Sequence, residues 1–394
     1  MAIDRNRPPQ LTIPANLENV IACGHPWVYR DHISRGFSAT TGTWVEVRAG
    51  KTVRYGLWDE TSPIAIRLFS SKSCPSEQWL KERVFEAVEH RLRSLSLDTN
   101  AYRILFGEGD GLPGITADRY GDYAVAVTYA DCLTGLVPTV AKALLQRLGL
   151  KGVLWRRSDD ARGTALDVVC GERPPSDLVI SERGLRFFAD LEVGQKTGLF
   201  LDQRDNRHAI SPYVRGASVL NLFCYTGGFS VVAAHYGATT ITSVDIAAAA
   251  VKRVEDNLVL NGFATAEHEF VAEDCYDFLA NTIQKNRTFD VMICDPPSLA
   301  RNKSQLDGAL KAYTLLNTRG ISCVKPGGYF VAASCTAQVS PEAFRLMLTE
   351  AGRRAKRRLQ VCCELGHAAD HPQFLGHPEG RYLKFLILRV LDTV

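Results

Sequence analysis

The sequence predicts an α/β protein of three parts: a small β-barrel or β-sandwich, a central α/β domain and a C-terminal domain built on a parallel sheet. The first observation is a series of short β-rich runs, punctuated by Gly and Pro, over residues 10 to about 72. The second is a strand, glycine turn and helix pattern that repeats from about residue 215 and is typical of a sheet covered on both faces. The third is an apolar content of 46% over 394 residues, which is enough to bury at least two cores.

Composition and charge indicate the compartment of the protein and how it could recognise a nucleic acid. The eleven cysteines have no regular spacing, and the N-terminal residues contain no apolar core typical of a signal peptide. No window approaches the roughly 18 consecutive apolar residues needed to span a bilayer. These features predict a reduced, cytoplasmic protein. The net charge is only +3, so recognition of a nucleic acid would depend on a local basic patch.

The first two parts are predicted to meet near residue 72. The β-rich runs before that point include "TWVEVRA", "YGLWDE" and "IAIRLFS". Apolar residues at helical spacing then predict a helix; they are Trp79, Leu80, Val84, Val88 and Leu92. The central part, 73–190, continues with glycine turns, a second helix at "PTVAKALLQRLG" and a hairpin around Arg183 and Gly184.

The C-terminal part, 191–394, carries five predicted strands with helices between them. The strands are "SVLNLF", "TITSVD", "HEFVAE", "FDVMICD" and "GYFVAAS". The helices are "FSVVAAHYG", "AAAAVKRVEDNLVLNG", "CYDFLANTIQ" and "GALKAYTLLNTRGISCV". Ligands of such sheets bind outside the carboxyl ends of the strands, where the strand order reverses. The residues that end these strands are therefore the candidate site residues.

Three of these residues form the predicted cofactor half of the site. Gly227 precedes the helix after the first strand and lets the backbone approach a ligand closely. Asp245 ends the second strand, where a carboxylate can accept both hydroxyls of a ribose; Asp274 follows the third, where it can accept an adenine amine. The absence of the G-x-G-x-x-G phosphate fingerprint favours S-adenosyl-L-methionine (SAM) over a dinucleotide. A turn residue at Asp245 and a helix N-cap at Asp274 are the alternative interpretations.

Asp295 and Cys335 form the predicted reaction half. Asp295 ends the fourth strand before two prolines, a rigid turn that projects its carboxylate from the sheet edge. The hairpin signal "KPGG" leads into the fifth strand, which ends at Ser334 and Cys335. If the two strands are neighbours, both side chains can face one substrate ring, because adjacent strands lie about 5 Å apart.

This pair suits methylation at carbon 5 of a cytosine. That carbon becomes nucleophilic when a thiolate adds at carbon 6 and an acid binds ring nitrogen 3, which assigns the thiolate to Cys335 and the acid to Asp295. A buried core thiol is the alternative for Cys335, because free cysteines are among the most buried residues. Methylation of a base amino group is less favoured, because Ser298 fills the position after the prolines where an aromatic is usual.

Several long polar strings carry a family resemblance. They are "GHPWVYRDHI", "GEGDGLPGITADRYGDYAV", "GQKTGLFLDQRDNR", "NLFCYTGGFSV", "DPPSLARNKSQL", "SCT" and "ADHPQFLGHPEGRYLK". Over nearly its whole length, the chain resembles the bacterial class I SAM-dependent 23S rRNA (cytosine-C5) methyltransferases that carry an N-terminal PUA domain. The resemblance implies a PUA-like RNA-binding β-barrel at 1–72, a linking α/β domain, a C-terminal Rossmann-like class I methyltransferase domain at 191–394, and a homodimer.

Carried over position by position, the resemblance assigns roles to five candidate residues. Cys335 matches the family's nucleophile in its Ser-Cys motif. Asp295 matches the acidic residue of the Asp-Pro-Pro motif. Asp245 and Asp274 match its SAM-contacting acids, and Gly227 matches its glycine turn.

Other positions match a motif without an individual role. Asp202, Gln203 and Arg204 lie in the string that flanks the cofactor in this family. Ser298 departs from the lysine that the family tends to have after the Asp-Pro-Pro motif. The base that removes the carbon 5 proton is therefore not identified by the sequence.

A basic patch in the first domain is the predicted RNA contact. Arg30, Arg48 and Arg54 belong to a stretch in which basic residues outnumber the acids nearby. Trp27 is predicted to pack in the core rather than to stack on a base. A domain of this kind would hold shaped RNA while the C-terminal domain performs the chemistry.

Two other clusters favour structural roles. The string "CCELGHAADH" contains two cysteines and two histidines, but adjacent cysteines lack the residue gap of a zinc site. The basic run "RRAKRR" is predicted to close a helix that Ser340 caps, with contact to RNA phosphates as the alternative.

Two other functions fit the same residues. One is SAM-dependent methylation of another RNA base or atom. The other is a non-catalytic ribosome assembly factor that retains the PUA domain. The intact set of three strand-end carboxylates and a cysteine argues against the second.

Overall fold

The computed structural model describes residues 8–69, 72–96, 98–157, 166–191, 199–300 and 302–392. The chain divides into two compact units. The first unit comprises Met1–Ile180, Ala189–Thr197 and Ala369–Gly380; the second comprises Ser181–Phe188, Gly198–Ala368 and Arg381–Val394. No helix within the described ranges is long and apolar enough to cross a membrane.

The N-terminal part of the first unit is a five-stranded sheet, as predicted for the β-rich runs. Its elements are β1 (Gln10–Thr12), α1 (Glu18–Ala22), β2 (Trp27–Tyr29), β3 (Trp44–Ala49), β4 (Thr52–Trp58) and β5 (Ile64–Phe69). The strand order is β1-β3-β4-β5-β2; β1 runs parallel to β3, and the other neighbours are antiparallel. Val45, Val47 and Ile66 are fully buried and belong to the core of this sheet.

The central part of the first unit is a second five-stranded sheet with two helices. Its elements are α2 (Glu77–Ser94), β6 (Ala101–Phe106), β7 (Ile115–Tyr120), β8 (Tyr123–Thr128), α3 (Val137–Leu148), β9 (Gly152–Arg157) and β10 (Asp167–Gly171). The order is β10-β9-β8-β7-β6, and the crossover through α3 lets β8 and β9 run parallel. Leu80, Val84 and Val88 are buried along α2, as predicted. Leu92 is not: it is 45% exposed, because the buried face ends before it.

One C-terminal segment, Ala369–Gly380, belongs to the first unit although the sequence placed it in the methyltransferase domain. The carboxylate of Asp370 accepts the backbone N–H of Arg103, and its carbonyl accepts Nη2 of Arg91. Arg91 is fully buried and also pairs with Asp110. The two contacts of Asp370 join residues 267 and 279 positions apart, which no local pattern reveals. The boundaries near 72 and 190 stay predictions.

The hairpin predicted around Arg183 and Gly184 is present. It consists of β11 (Val179–Glu182) and β12 (Leu185–Phe188), which pair with each other. Arg183 and Gly184 form its turn with φ values of 49° and 79°, the left-handed region that a two-residue hairpin requires.

The second unit is built on a seven-stranded sheet. Its strands are β13 (Ser218–Leu222), β14 (Thr240–Asp245), β15 (Glu269–Ala272), β16 (Phe289–Cys294), β17 (Val324–Ser334), β18 (Arg357–Leu365) and β19 (Lys384–Asp392). Its helices are α4 (Arg204–Ala209), α5 (Ser211–Val214), α6 (Gly228–His235), α7 (Ala248–Leu260), α8 (Cys275–Gln284), α9 (Leu306–Ser322) and α10 (Pro341–Arg354). The five strands predicted from the sequence are all present.

The strand order is β15-β14-β13-β16-β17-β19-β18. The first five strands are parallel, and β19 runs antiparallel to both β17 and β18. The order reverses between β13 and β16, and ligands of such sheets bind beyond the carboxyl ends of the strands at that point.

The sequence patterns miss β18 and β19. β18 is the edge strand and its residues are largely exposed, so it shows no apolar alternation. The basic run "RRAKRR" is split as a result: α10 ends at Arg354, while Arg357 and Arg358 begin β18. Ser340 does cap α10, since its hydroxyl accepts the N–H of Ala343.

The "KPGG" signal does not form a hairpin before the fifth strand. It lies inside β17 as an irregularity, because the register moves from Phe289 opposite Val324 to Val291 opposite Tyr329. Gly327 has a φ of 83° there. The extra residues are accommodated as a bulge, which a turn-forming sequence can also build.

Candidate active site

The candidate site residues lie along one edge of the seven-stranded sheet. Asp245 ends β14, Asp274 follows β15 by two residues, and Asp295 and Cys335 directly follow β16 and β17. These strands are parallel, so their carboxyl ends share an edge. β16 and β17 are neighbours, which confirms the predicted condition for bringing Asp295 and Cys335 together.

The loop between β13 and α6 has an unusual backbone. Phe223, Tyr225 and Gly227 have φ values of 54°, 48° and 84°. A Cβ at Gly227 would lie 2.6 Å from Cγ1 of Val254, so only glycine fits this position. Left-handed non-glycine residues persist where the surroundings hold them, and they cluster at ligand sites. The predicted glycine turn is therefore a fixed feature at the sheet edge.

Asp245 braces this loop. Its Oδ2 accepts the backbone N–H of Tyr225 at 3.0 Å, and its Oδ1 accepts that of Ala247 at 3.0 Å. The alternative interpretation of Asp245 as a turn residue therefore agrees with these two hydrogen bonds. Each carboxylate oxygen has capacity for a further donor, so this role is compatible with a ligand.

Asp274 is the N-cap of α8. Its Oδ1 accepts the backbone N–H groups of Tyr276 and Asp277 at 2.8 and 3.3 Å. The alternative capping interpretation is therefore confirmed. Both of these bonds use the same carboxylate oxygen.

Gln203 forms a hydrogen bond with Asp295 that its sequence motif did not predict. Its Nε2 donates to Oδ2 of Asp295 at 2.9 Å, and its Oε1 accepts Nδ2 of Asn206 at 2.6 Å. Asn206 Nδ2 also donates to the carbonyl of Gly366 at 2.9 Å. This relay fixes the Gln203 amide with its N–H toward Asp295, so Oδ2 of Asp295 is an acceptor.

The other two residues of the string face different partners. Asp202 is buried; its Oδ2 accepts the hydroxyl of Tyr382 at 2.7 Å, and its carbonyl accepts the N–H of Ala368. Arg204 is buried with Nε 3.5 Å from Oδ1 of Asp205. The first residues of the string, 194–198, lie outside the described ranges.

Cys335 differs from its neighbouring thiols in exposure. Cys275 and Cys294 are buried, and burial raises the pKa of Cys275 to about 12 and that of Cys294 well above its ordinary value. Such thiols are inert. Cys335 is partly exposed where β17 ends, so it is less buried than these two thiols.

A hydroxyl network connects the loop after Asp295 with the turn that carries Cys335. The Oγ1 of Thr336 lies 2.8 Å from the hydroxyl of Tyr313 and 3.2 Å from Oγ of Ser298, and it accepts the N–H of Leu299. Ser334 Oγ donates to the same tyrosine at 3.1 Å. Ser298 therefore has a bracing role that joins the two loops.

Motif reasoning did not single out Tyr382 and Lys384, which also contact the site. Tyr382 holds Asp202 as described, and Nζ of Lys384 donates to the carbonyl of Thr336 at 2.6 Å. Both occur in the string "GRYLK", which was quoted only for the resemblance. The contact of Lys384 follows from the pairing of β19 with β17, and that of Tyr382 joins residues 180 positions apart, so spacing along the chain gives no signal for either.

Comparison with known proteins decides the class of enzyme. The sequence profile described as S-adenosylmethionine-dependent methyltransferase matches residues 135–385. The chain belongs to this methyltransferase family. Its methyl donor is therefore SAM, as predicted. A second profile, described as a PUA-like domain, matches residues 11–71 and confirms the predicted N-terminal fold.

Curated relatives resemble this methyltransferase over nearly its whole length. "Ribosomal RNA large subunit methyltransferase I" of Shewanella denitrificans is 34% identical over 384 residues, covering 93% of this chain and 95% of the relative. The protein of that name from Klebsiella pneumoniae (strain 342) is 33% identical, with coverages of 97% and 98%. A "Ribosomal RNA large subunit methyltransferase" of Deinococcus radiodurans is 34% identical, with coverages of 97% and 97%.

Solved structures share the fold of this methyltransferase. SMU.776, a proposed methyltransferase crystallised with SAH, matches with a TM-score of 0.86 at 23% identity, over 97% of this chain and 100% of that one. A proposed SAM-dependent methyltransferase from Streptococcus mutans matches with a TM-score of 0.85 at 22% identity, with the same coverages. At these identities the likeness establishes the fold alone.

The predicted RNA-contact arginines differ in how their side chains are used. Arg30 donates to the carbonyls of Asp59 and Ser62, and its guanidinium lies 5.1 Å from the ring centroid of Trp58. Arg48 pairs with Glu46 at 2.6 Å, yet 44% of its side chain is exposed. Arg30 is therefore a brace within the first sheet.

Arg54 and Trp27 of the first sheet also form hydrogen bonds within the protein. Arg54 donates to the carbonyl of Val53. Trp27 donates from Nε1 to Glu108 at 2.9 Å and packs edge to face against His377 at a centroid distance of 4.5 Å. This packing is the preferred interpretation of Trp27.

The cysteines and histidines of "CCELGHAADH" point to separate partners. Cys362 and Cys363 lie on β18. The Nε2 of His367 accepts the N–H of Leu383, and Nδ1 of His371 lies 2.9 Å from Asp370. The described part of the chain contains no group of three or more His, Cys, Asp or Glu that could hold a metal ion.

Proposed function

We propose that this methyltransferase forms 5-methylcytidine in large-subunit (23S) ribosomal RNA through a transient bond between Cys335 and cytosine carbon 6. The observation that carries the proposal is the pairing of β16 with β17, which sets Asp295 and a partly exposed Cys335 at one sheet edge. The names of the relatives and the PUA-like domain support the substrate class.

Three residues suit the SAM that the family uses. We assign the ribose hydroxyls to Asp245 and the adenine amine to Asp274, because carboxylates accept hydrogen bonds from both groups. Gly227 keeps the neighbouring loop backbone free of a side chain. Asp202 and Arg204 flank the cofactor in this proposal. When bound, SAM supplies an electrophilic methyl group on its sulfonium sulfur.

Cys335 starts the reaction as a thiolate. Its Sγ bonds to carbon 6, and the displaced electron pair moves through the ring to nitrogen 3. Asp295 supplies a proton to nitrogen 3, while its Oδ2 accepts the hydrogen bond from Gln203. Carbon 5 is now enamine-like and would form its bond to the methyl carbon as the sulfur–methyl bond of the sulfonium breaks, its electron pair staying on the sulfur.

The same two residues restore the aromatic ring. As carbon 5 gains its methyl group, the nitrogen 3 proton returns to Asp295. The carbon 5 proton is lost to solvent, the electron pair reforms the 5,6 double bond, and Sγ leaves carbon 6 as a thiolate. Cys335 and Asp295 both end in their starting protonation states, as a catalyst requires.

The first sheet supplies the proposed RNA contact. Arg48 and Arg54 lie on the paired strands β3 and β4, opposite Val53 and Val47 respectively. Paired residues share a face and successive residues alternate, so these two arginines project from opposite faces of the sheet. Basic side chains at either face attract phosphates without reading sequence. Arg30 contributes as the brace described above. The homodimer remains an expectation from the resemblance, which light scattering of the purified protein tests.

The test is methyl transfer from labelled SAM to unmodified 23S RNA, followed by nucleoside analysis. The wild type should yield 5-methylcytidine, and Cys335→Ala should yield none. Cys362→Ala is the matched control, because this exposed cysteine lies on the edge strand β18 and should leave the product unchanged. A different methylated nucleoside, or an active Cys335→Ala variant, would reject the proposal.

A further inference from the structure

Lys384 carries a charge in an unusually buried position. It begins β19, where it pairs with Ser334 of β17, one residue before Cys335. Its residue exposure is only 3%. Lysines are almost never fully buried without a partner, because removing an ammonium from water is costly.

The ammonium is directed at the turn that carries Cys335. Its Nζ donates to the carbonyl of Thr336 at 2.6 Å and to that of Tyr382 at 2.8 Å. Both acceptors are neutral. Besides burial, the groups that shift the pKa of Lys384 are Cys335 and Arg381, so among the described residues these groups include no carboxylate that compensates its charge.

The anion that can offset this charge is the thiolate of Cys335. Burial lowers the pKa of Lys384 to about 8; a Cys335 thiolate counteracts that effect, and Arg381 adds to it. The attraction is mutual, so an ammonium at Lys384 favours the thiolate as much as the thiolate favours the ammonium. At pH 7 the ammonium form of Lys384 predominates.

Tyr313, Asp295 and Arg381 are other titratable groups in the surroundings of Cys335 and Lys384. Tyr313 of α9 is neutral at pH 7, because burial raises its pKa to about 12, with smaller contributions from Cys335 and Asp295. Asp295 is engaged by Gln203. Arg381 is a second cation in the field at Lys384.

We propose that Lys384 is a positioning residue for Cys335: its ammonium holds the turn through the Thr336 carbonyl and stabilises the nucleophilic thiolate. This inference rests on the proposed function, in which Cys335 attacks as a thiolate. It assigns the activating charge to a lysine supplied by the antiparallel strand β19. A purely structural Lys384 would hold the two carbonyls but would not change the ionisation of Cys335.

The test measures the ionisation of Cys335 in the absence of RNA. The protein is alkylated with iodoacetamide across a pH series, and the rate at the Cys335 peptide is followed by mass spectrometry. Cys362, which is exposed on β18, is the internal reference. In the wild type, the midpoint for Cys335 should lie below that for Cys362. An equal or higher midpoint overturns the proposal without requiring any variant.

Three variants separate charge from hydrogen bonding. Lys384→Arg keeps the charge, Lys384→Gln keeps N–H donors without the charge, and Lys384→Met removes both. The Gln and Met variants should raise the Cys335 midpoint by about one pH unit, a roughly tenfold slower alkylation at pH 7. Lys384→Arg should stay near the wild type. Gln and Met variants that bind SAM normally but keep the wild-type midpoint contradict the proposal.

The pH profile of methyl transfer links the ionisation of Cys335 to the rate of the reaction. In Lys384→Gln the rise of kcat with pH should move to higher pH, while the KM for SAM stays within twofold. The proposed function and the role of Lys384 can be rejected independently of each other. An active Cys335→Ala variant defeats the proposed function, whereas an unshifted alkylation midpoint defeats only the role of Lys384.

Discussion

The amide of Gln203 contacts the acid of the proposed reaction. Gln203 reaches Asp295 at 2.9 Å, and its own orientation depends on Asn206. A hydrogen bond to an ionisable group contributes about 1.5–3 kcal/mol, which corresponds to roughly 10- to 100-fold in rate if it is lost in the transition state.

The Gln203→Leu variant should therefore lower kcat by roughly 10- to 100-fold, with little change in SAM affinity. The substitution removes a hydrogen bond that orients the Asp295 carboxylate. Steady-state methyl transfer and calorimetry of SAM binding measure the two quantities. Gln78→Leu on the exposed side of α2 is the control, and it should behave as the wild type. Equal kcat in both variants would exclude the positioning of Asp295 by Gln203.

At the residue scale, the sequence identified the reactive groups but not what holds them. Asp295 and Cys335 are visible because each ends a strand-like run. Gln203 contacts Asp295 from 92 positions away, and Lys384 contacts Thr336, the residue after Cys335, from 48 positions away. Nothing in local spacing encodes such contacts.

At the scale of elements, Asp274 combines a helix cap with a proposed contact to the cofactor. Asn caps helices about as well as Asp, whereas Ala costs about 1 kcal/mol at an N-cap. These substitutions therefore separate the two roles.

For Asp274→Asn, we expect stability within about 0.5 kcal/mol of the wild type and weaker SAM binding, because the cap persists while the carboxylate is lost. Asp274→Ala should lose both. Chemical denaturation gives the stability, and calorimetry gives the affinity. If Asp274→Asn binds SAM like the wild type, Asp274 is a cap alone.

Elements were predictable where burial imposes a simple period. The five parallel strands are apolar runs followed by helices, so each was recognised. β18 was missed because it is an exposed edge, and "KPGG" was misread because a bulge and a turn use the same residues. The grouping of Ala369–Gly380 with the first unit has no local sequence pattern, because its partners, Arg91 and Arg103, are distant in sequence.

At the scale of the whole molecule, the two proposed tasks fall on different units. The PUA-like sheet with Arg48 and Arg54 is in the first unit, and the strand-end carboxylates are in the second. RNA affinity and SAM affinity should therefore respond to different substitutions.

Replacing Arg48 and Arg54 together by Gln should weaken RNA binding several-fold and reduce its salt dependence, because phosphate contacts release counterions. Gln is preferred to Glu, since a carboxylate at position 48 would face Glu46. SAM affinity should not change. Filter binding across a salt series and calorimetry provide the readouts. A parallel loss of SAM affinity would indicate misfolding, and unchanged RNA binding would move the RNA contact elsewhere.

The central claim is a covalent bond between Cys335 and carbon 6 of cytosine. RNA transcribed with 5-fluorocytidine tests it directly, because a fluorine at carbon 5 cannot leave as a proton and the adduct accumulates. Incubation with SAM should yield a protein–RNA complex whose cross-linked peptide contains Cys335, and Cys335→Ser should yield none. Methylation of ordinary RNA with no trapped complex, or a complex through another residue, would contradict the account.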